Sequence, residues 1–124
     1  MILADTSVWV EHFRHHLSLF ASRLDECEIL MHTVVLGELA TSNLSRRSKT
    51  LAWLQNLPMA SHGTVGECLE LIESERLWGR GVGWNDVQLL VAARLSSTPL
   101  WSLDLPLIEA ARELGIAYSG TRLL

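Results

Sequence analysis

The sequence predicts an α/β fold in which a short parallel sheet lies between layers of helices. Short apolar runs (Ile2-Leu3-Ala4, Ile29-Leu30-Met31, 99–103 and 116–118) recur between longer segments of helical periodicity. The runs do not alternate with polar residues, so both faces of each strand are expected to be covered. Strands alternating with helices favour parallel pairing through crossovers.

Each element has its own justification. Residues 2–4 form the first buried strand. Residues 7–16 read as a helix, because Val8, Trp9, Val10 and Phe13 recur at helical spacing and Ser7 is available as N-cap. A second helix spans 18–26, with Leu17, Phe20, Ala21 and Leu24 on one face. Residues 29–31 are too few for a helix and form a strand. Thr33 caps a helix over 34–42. Helical spacing resumes from Arg47 to Leu57 and stops at Pro58. The helix 64–78 is expected to turn Val65, Leu69, Ile72 and Leu77 inward. GRGVGWN, 79–85, is a glycine-rich loop. Val87 to Leu95 is a strongly apolar helix, and 99–103 is a strand ending at Asp104. Pro106 suits the first turn of a helix to Leu114, with Gly115 as its C′ residue. Residues 116–118 form a last strand.

With 124 residues, 48% of them hydrophobic, the chain suits one domain with a real core. No stretch approaches the roughly 20 apolar residues of a membrane span. The opening residues carry no basic segment before a long apolar run, so a cytoplasmic location is expected. Cys27 and Cys68 match no metal-binding spacing and are expected to be buried thiols. His12, His15 and His16 lie close together without an HExxH pattern, and a polar helix face accounts for them. A formal charge of −4 gives free nucleic acid no global attraction.

The chemistry concentrates in four acids. Asp5 and Asp104 end two strands and, if these are parallel, emerge at the same edge of the sheet. Asp86 opens the apolar helix after the glycine loop. Glu38 follows Val34 and Val35 by four and three residues, so it lies on or near the apolar side of its helix and needs a partner there. Each has a plainer reading, since Asp5, Asp86 and Asp104 also suit helix starts. Together they would repel one another, with few basic residues nearby in sequence. A hard divalent cation relieves that repulsion, prefers oxygen ligands and can activate water toward phosphorus.

ADTSVWVEHFR, TVVLGELA around Glu38, NDVQLLVAARL around Asp86 and LWSLD ending on Asp104 occur in this order. Together they resemble the PIN-domain proteins, and among them the VapC-type ribonuclease toxins of bacterial toxin–antitoxin pairs. The resemblance spans essentially the whole chain. It implies a single PIN domain over 1–124, a PIN-like three-layer α/β/α sandwich with four to five parallel strands. It also implies a Mg²⁺- or Mn²⁺-dependent endoribonuclease whose acidic quartet is Asp5, Glu38, Asp86 and Asp104. Thr6 or Ser7 would help position the metal or the phosphate, as would Ser102, two residues before the last acid. The further acid that many relatives carry after the last one is absent, because Leu105-Pro106-Leu107 follows Asp104. A PIN-fold module without activity, binding RNA or protein, is the alternative. A dehalogenase-like phosphohydrolase would need a second Asp at position 7, which is Ser.

Candidate RNA contacts are the basic cluster Arg46, Arg47 and Lys49, together with Arg76 and Arg80 around the glycine loop. The first three also read as a solvated helix face. Trp84 could stack on a base, although Trp in such a setting is more often core. The first two helices carry more apolar residues than one inner face hides, and Trp9 and Val10 diverge by about 100°. An exposed patch there would take a VapB-type antitoxin, as the resemblance implies. A homodimer seam is the competing use of the same surface.

Overall fold

The computed structural model describes residues 1–120. In chain order these form β1 (Ile2–Ala4), α1 (Thr6–His15), α2 (Ser18–Asp25), β2 (Ile29–Leu30), α3 (Thr33–Ala40), α4 (Arg47–Gln55), α5 (Val65–Glu75), α6 (Trp84–Leu95), β3 (Leu100–Trp101) and α7 (Leu105–Glu113). The strands pair in parallel in the order β2-β1-β3. Every strand residue is buried, including neighbours that point to opposite faces, so helices cover both sides of the sheet.

The expected four to five strands are corrected to three among the described residues. An isolated parallel bridge extends each edge, Met31 with Met59 and Leu100 with Ala117. The segment 116–118 therefore pairs at one residue only, through Leu100 N–H to Ile116 O (2.7 Å) and Tyr118 N–H to Leu100 O (2.9 Å).

Strand order decides where a site can form. From β1 the chain moves to β2 on one side, and later to β3 on the other. The connections thus diverge at the carboxyl end of β1, the switch point at which open α/β sheets leave a crevice.

Beneath that end lies an aromatic core. Trp9, Phe20 and Trp101 are fully buried. Phe20 meets Trp9 edge-on at 4.8 Å and Trp101 at 5.5 Å, and Trp101 lies 4.6 Å from Tyr118. The indole N–H groups of Trp9 and Trp101 are buried without a hydrogen-bond partner among the described residues. The burial of ring area outweighs that penalty.

Several local expectations change. Asp5, not Ser7, caps α1, and His32, not Thr33, caps α3. The inner face of α5 is rotated: Cys68 and Leu71 are buried, while Val65 and Leu69 are exposed. Leu77 is buried as expected, beyond the helix end. Of the two thiols only Cys68 is buried. Cys27 is exposed, in a turn at φ +57°.

His32 provides a test of the packing. Its Nδ1 accepts the Val34 N–H at 3.0 Å, and the residue is 1% exposed. Burial, and secondarily the stacked His62 ring at 4.2 Å, lower its pKa to about 4. The unfolded chain takes up a proton near 6.5, so between pH 6.5 and 4 it binds more protons than the fold. The contribution of His32 is complete above about pH 6.5, falls as the pH drops to about 4, and is flat below. Its size is about 3 kcal/mol. His32→Asn keeps a capping acceptor and removes the titration. Urea unfolding at pH 7 and pH 4 should show wild type losing about 3 kcal/mol more than His32→Asn. Parallel losses would contradict a neutral, buried His32.

Candidate functional site

The site begins with the residue that follows β1. Asp5 is buried, and its backbone N–H bonds Trp101 O at 2.9 Å, which ties it to β3. Its Oδ1 accepts from Ser7 Oγ at 2.5 Å and from the Val8 N–H at 3.4 Å, the second bond capping α1. Its Oδ2 accepts from Ser102 Oγ at 2.7 Å. Both hydroxyls are bound in turn: Ser7 Oγ accepts the Leu103 N–H and Ser102 Oγ accepts the Asp104 N–H, each at 2.9 Å. Ser7 and Ser102 thus join the ends of β1 and β3 and set Asp104 beside Asp5. Asp5 is thus the cap of α1, and the same carboxylate lies at the carboxyl end of β1.

Asp104 is exposed and caps α7, its Oδ2 accepting the Leu107 N–H at 3.3 Å. Asp86 is half-buried in the first turn of α6, and its Oδ2 reaches back to the Gly83 N–H at 3.0 Å. Glu38 corrects the expectation of a face turned toward the core. It is exposed, while Val35 and Leu39 of α3 are buried. Its partner is Thr6, whose Oγ1 donates to Glu38 Oε1 at 2.5 Å and fastens α3 to the start of α1.

The acids feel one another. Burial raises the Asp5 carboxyl above its ordinary range, against the bonds from Ser7, Ser102 and Val8, and the Asp86 charge adds to the rise. Burial also raises Asp86, against the bond from Gly83, and Asp104 and Glu38 push the same way. Among the described residues the ion pairs are His15–Glu11, Arg23–Glu28 and Arg80–Glu113, and none of these involves the four acids.

A hard divalent cation fits this donor set, which is all oxygen and carries uncompensated negative charge. Among the described residues no three Asp, Glu, His or Cys side chains gather closely enough to enclose an ion. Mg²⁺ does not require that, since it keeps several waters and commonly takes only one or two carboxylates directly.

The basic candidates separate. Arg47 donates to Ala40 O (2.5 Å) and Ser42 O (3.2 Å), closing the α3–α4 turn. Arg80 forms a bidentate pair with Glu113 at 3.0 and 2.6 Å. Arg46, Lys49 and Arg76 are exposed, and Arg46 borders a groove of about 570 Å³ between α1 and the α3–α4 turn, with Val10, Phe13 and Arg14. Trp84, expected as core, is 44% exposed. Two features escaped the sequence reading. His32 stands at the carboxyl end of β2, where its place just before a helix was the available signal. Trp78 is 59% exposed, two residues before Arg80.

Two curated proteins are similar to the chain, both named Ribonuclease VapC32, from Mycobacterium tuberculosis strains CDC 1551 / Oshkosh and ATCC 25618 / H37Rv. Each is 39% identical over 120 residues, which cover 96% of this chain and 97% of the relative. No family model matches the chain.

Proposed function

The chain belongs to the VapC family of ribonuclease toxins, and from that premise we propose that it cuts RNA phosphodiester bonds at the acidic edge of its sheet. One observation carries the reading. Asp5, Glu38, Asp86 and Asp104, drawn from separate parts of the chain, stand near one another at the switch point with no basic partner among the described residues. Residues 1–124 are taken as one PIN-like domain, acting in the cytoplasm as the toxin of a type II toxin–antitoxin pair.

The residues divide the work. Asp5, Asp86, Asp104 and Glu38 are the candidate oxygen donors for Mg²⁺ or Mn²⁺. When bound, such an ion supplies positive charge for the phosphate and a more acidic water. Ser7 and Ser102 hold both oxygens of Asp5, and Thr6 holds Glu38, so the donors are oriented before substrate arrives. Cleavage should rise from acid toward neutral pH, because the raised Asp5 and Asp86 carboxyls must ionise to act as donors. Brief expression in cells, followed by mapping of new RNA ends, tests the reading. Discrete ends should appear with wild type and vanish with Glu38→Gln. Identical ends with both would remove the quartet from the reaction, and no ends with either would favour the inactive binding module.

The antitoxin is assigned to the groove between α1 and the α3–α4 turn. Trp9 is fully buried, whereas Phe13 is 42% exposed and lines the groove beside Arg14 and Arg46. The occupant is a VapB-type helix with an apolar stripe and acidic flanks. Phe13→Ala should weaken the complex by about tenfold or more, as expected for an aromatic anchor. Cleavage by the free protein should not change. Unchanged affinity would move the antitoxin elsewhere, and a homodimer across this surface would appear as a concentration-dependent mass.

A further inference from the structure

We infer that the loop before α6 is the binding element for single-stranded RNA, with Trp78 and Trp84 as base-stacking surfaces beside the acidic site. This rests on the nuclease reading above and adds to it how the substrate is held. In the segment RLWGRGVGW, Arg76, Trp78, Arg80 and Trp84 occupy alternating or nearby positions. Leu77 is buried and anchors the loop, while Trp78 and Trp84 are 59% and 44% exposed. Three indoles are exposed among the described residues, Trp53, Trp78 and Trp84, and the last two flank this one loop.

Position ties the loop to the acids. Gly83 donates its N–H to Asp86, and Trp84 follows it as the first residue of α6. Gly81, at φ +80°, lies so close to Pro106 that a Cβ there would stand 3.3 Å from the proline ring. Pro106 belongs to the first turn of α7, the helix that Asp104 caps. The loop therefore spans the starts of the two helices that carry Asp86 and Asp104. Arg80 fixes its middle to the far end of α7 through Glu113. Arg76 remains exposed and forms no ion pair among the described residues, so it is the cation available to a flanking phosphate.

Charge explains why stacking is needed. The protein is acidic overall, and the site itself repels phosphate until a cation is bound. A base offers a neutral π-face, and stacking holds it without a field of lysines. Single-stranded RNA presents such faces, whereas a duplex hides them.

The experiment measures binding of a fluorescein-labelled ten-nucleotide oligouridine and oligoadenosine by anisotropy in EDTA. Cleavage of a longer unstructured RNA in Mg²⁺ or Mn²⁺ is followed in parallel. Trp84→Ala and Trp78→Ala should each weaken binding roughly 5- to 100-fold. They should raise KM more than they lower kcat, while Trp84→Phe recovers most of the loss. Melting temperatures should stay near wild type because both rings are exposed, and antitoxin affinity should not change. Wild-type binding by the double variant, with wild-type cleavage intact, would overturn the loop assignment and leave the nuclease reading standing. A loss confined to the antitoxin complex would make the loop a protein interface and overturn it equally. A wild-type protein that neither binds nor cuts RNA would overturn both.

Discussion

Asp5→Asn should reduce RNA cleavage by at least about a hundredfold while leaving the fold almost as stable as wild type. The loss follows from charge. Asn has the shape of Asp but cannot supply the anionic oxygen that a hard cation prefers. Disturbing a residue that merely orients a metal ligand already costs roughly 10- to 100-fold, and loss of a donor costs more. The retained stability follows from the same hydrogen bonds. Asn keeps an acceptor for the Val8 N–H and is itself a strong N-cap. Ser7 can go on donating to that same oxygen, and the Ser102 hydroxyl can turn to accept from the new amide. Removing a buried charge also ends the repulsion from Asp86. A melting curve beside a cleavage assay checks both halves. Full activity would remove Asp5 from the reaction, and a large fall in melting temperature would leave it only as a cap.

Trp101→Ala should do the reverse, destroying activity through the fold. Trp101 is fully buried in β3 and packs against Phe20 and Tyr118. Its backbone oxygen receives the Asp5 N–H. Truncating a buried Trp to Ala costs about 3–5 kcal/mol, which lowers Tm by more than about 10 °C in a chain of this size. The unpaired indole N–H lessens the loss somewhat, since a buried donor without a partner disappears with it. Denaturant unfolding with cleavage measured well below the midpoint separates the effects. A near-wild-type midpoint would mean that the aromatic core does not hold the sheet edge in place.

The contrast between these variants shows what the sequence makes legible. Apolar runs located β1, β2 and β3, and their lack of alternation indicated a sheet covered on both faces. Asp5 and Asp104 were placed at one edge because parallel strands share a carboxyl side. Strand number was less accessible. The pairings at Met59 and Ala117 are single bridges, and a bridge of one residue has no periodicity to detect. The exposure of Glu38 is not legible in sequence, because α3 is apolar on most sides. Its exposure is set by where α1 ends up, and Thr6 is its neighbour only in three dimensions. The α5 face was rotated for a similar reason, because Val65 and Leu69 share the spacing of an inner stripe while Cys68 and Leu71 pack inward. The family resemblance points to the hydroxyls of Ser7 and Ser102. That each holds one oxygen of Asp5 and one backbone N–H beyond β3 required coordinates.

The most direct measurement is cleavage of an unstructured RNA by the purified chain at neutral pH, with Mg²⁺ or Mn²⁺ supplied, withdrawn by EDTA and supplied again. Asp104→Asn runs alongside, because Asp104 is exposed and its replacement keeps a capping residue in place. Wild type should cut with metal, stop in EDTA and resume when metal is restored in excess, while Asp104→Asn stays inactive throughout. Cleavage that continues in EDTA and is equally strong in Asp104→Asn would contradict a metal-assisted site at the acidic edge of the sheet.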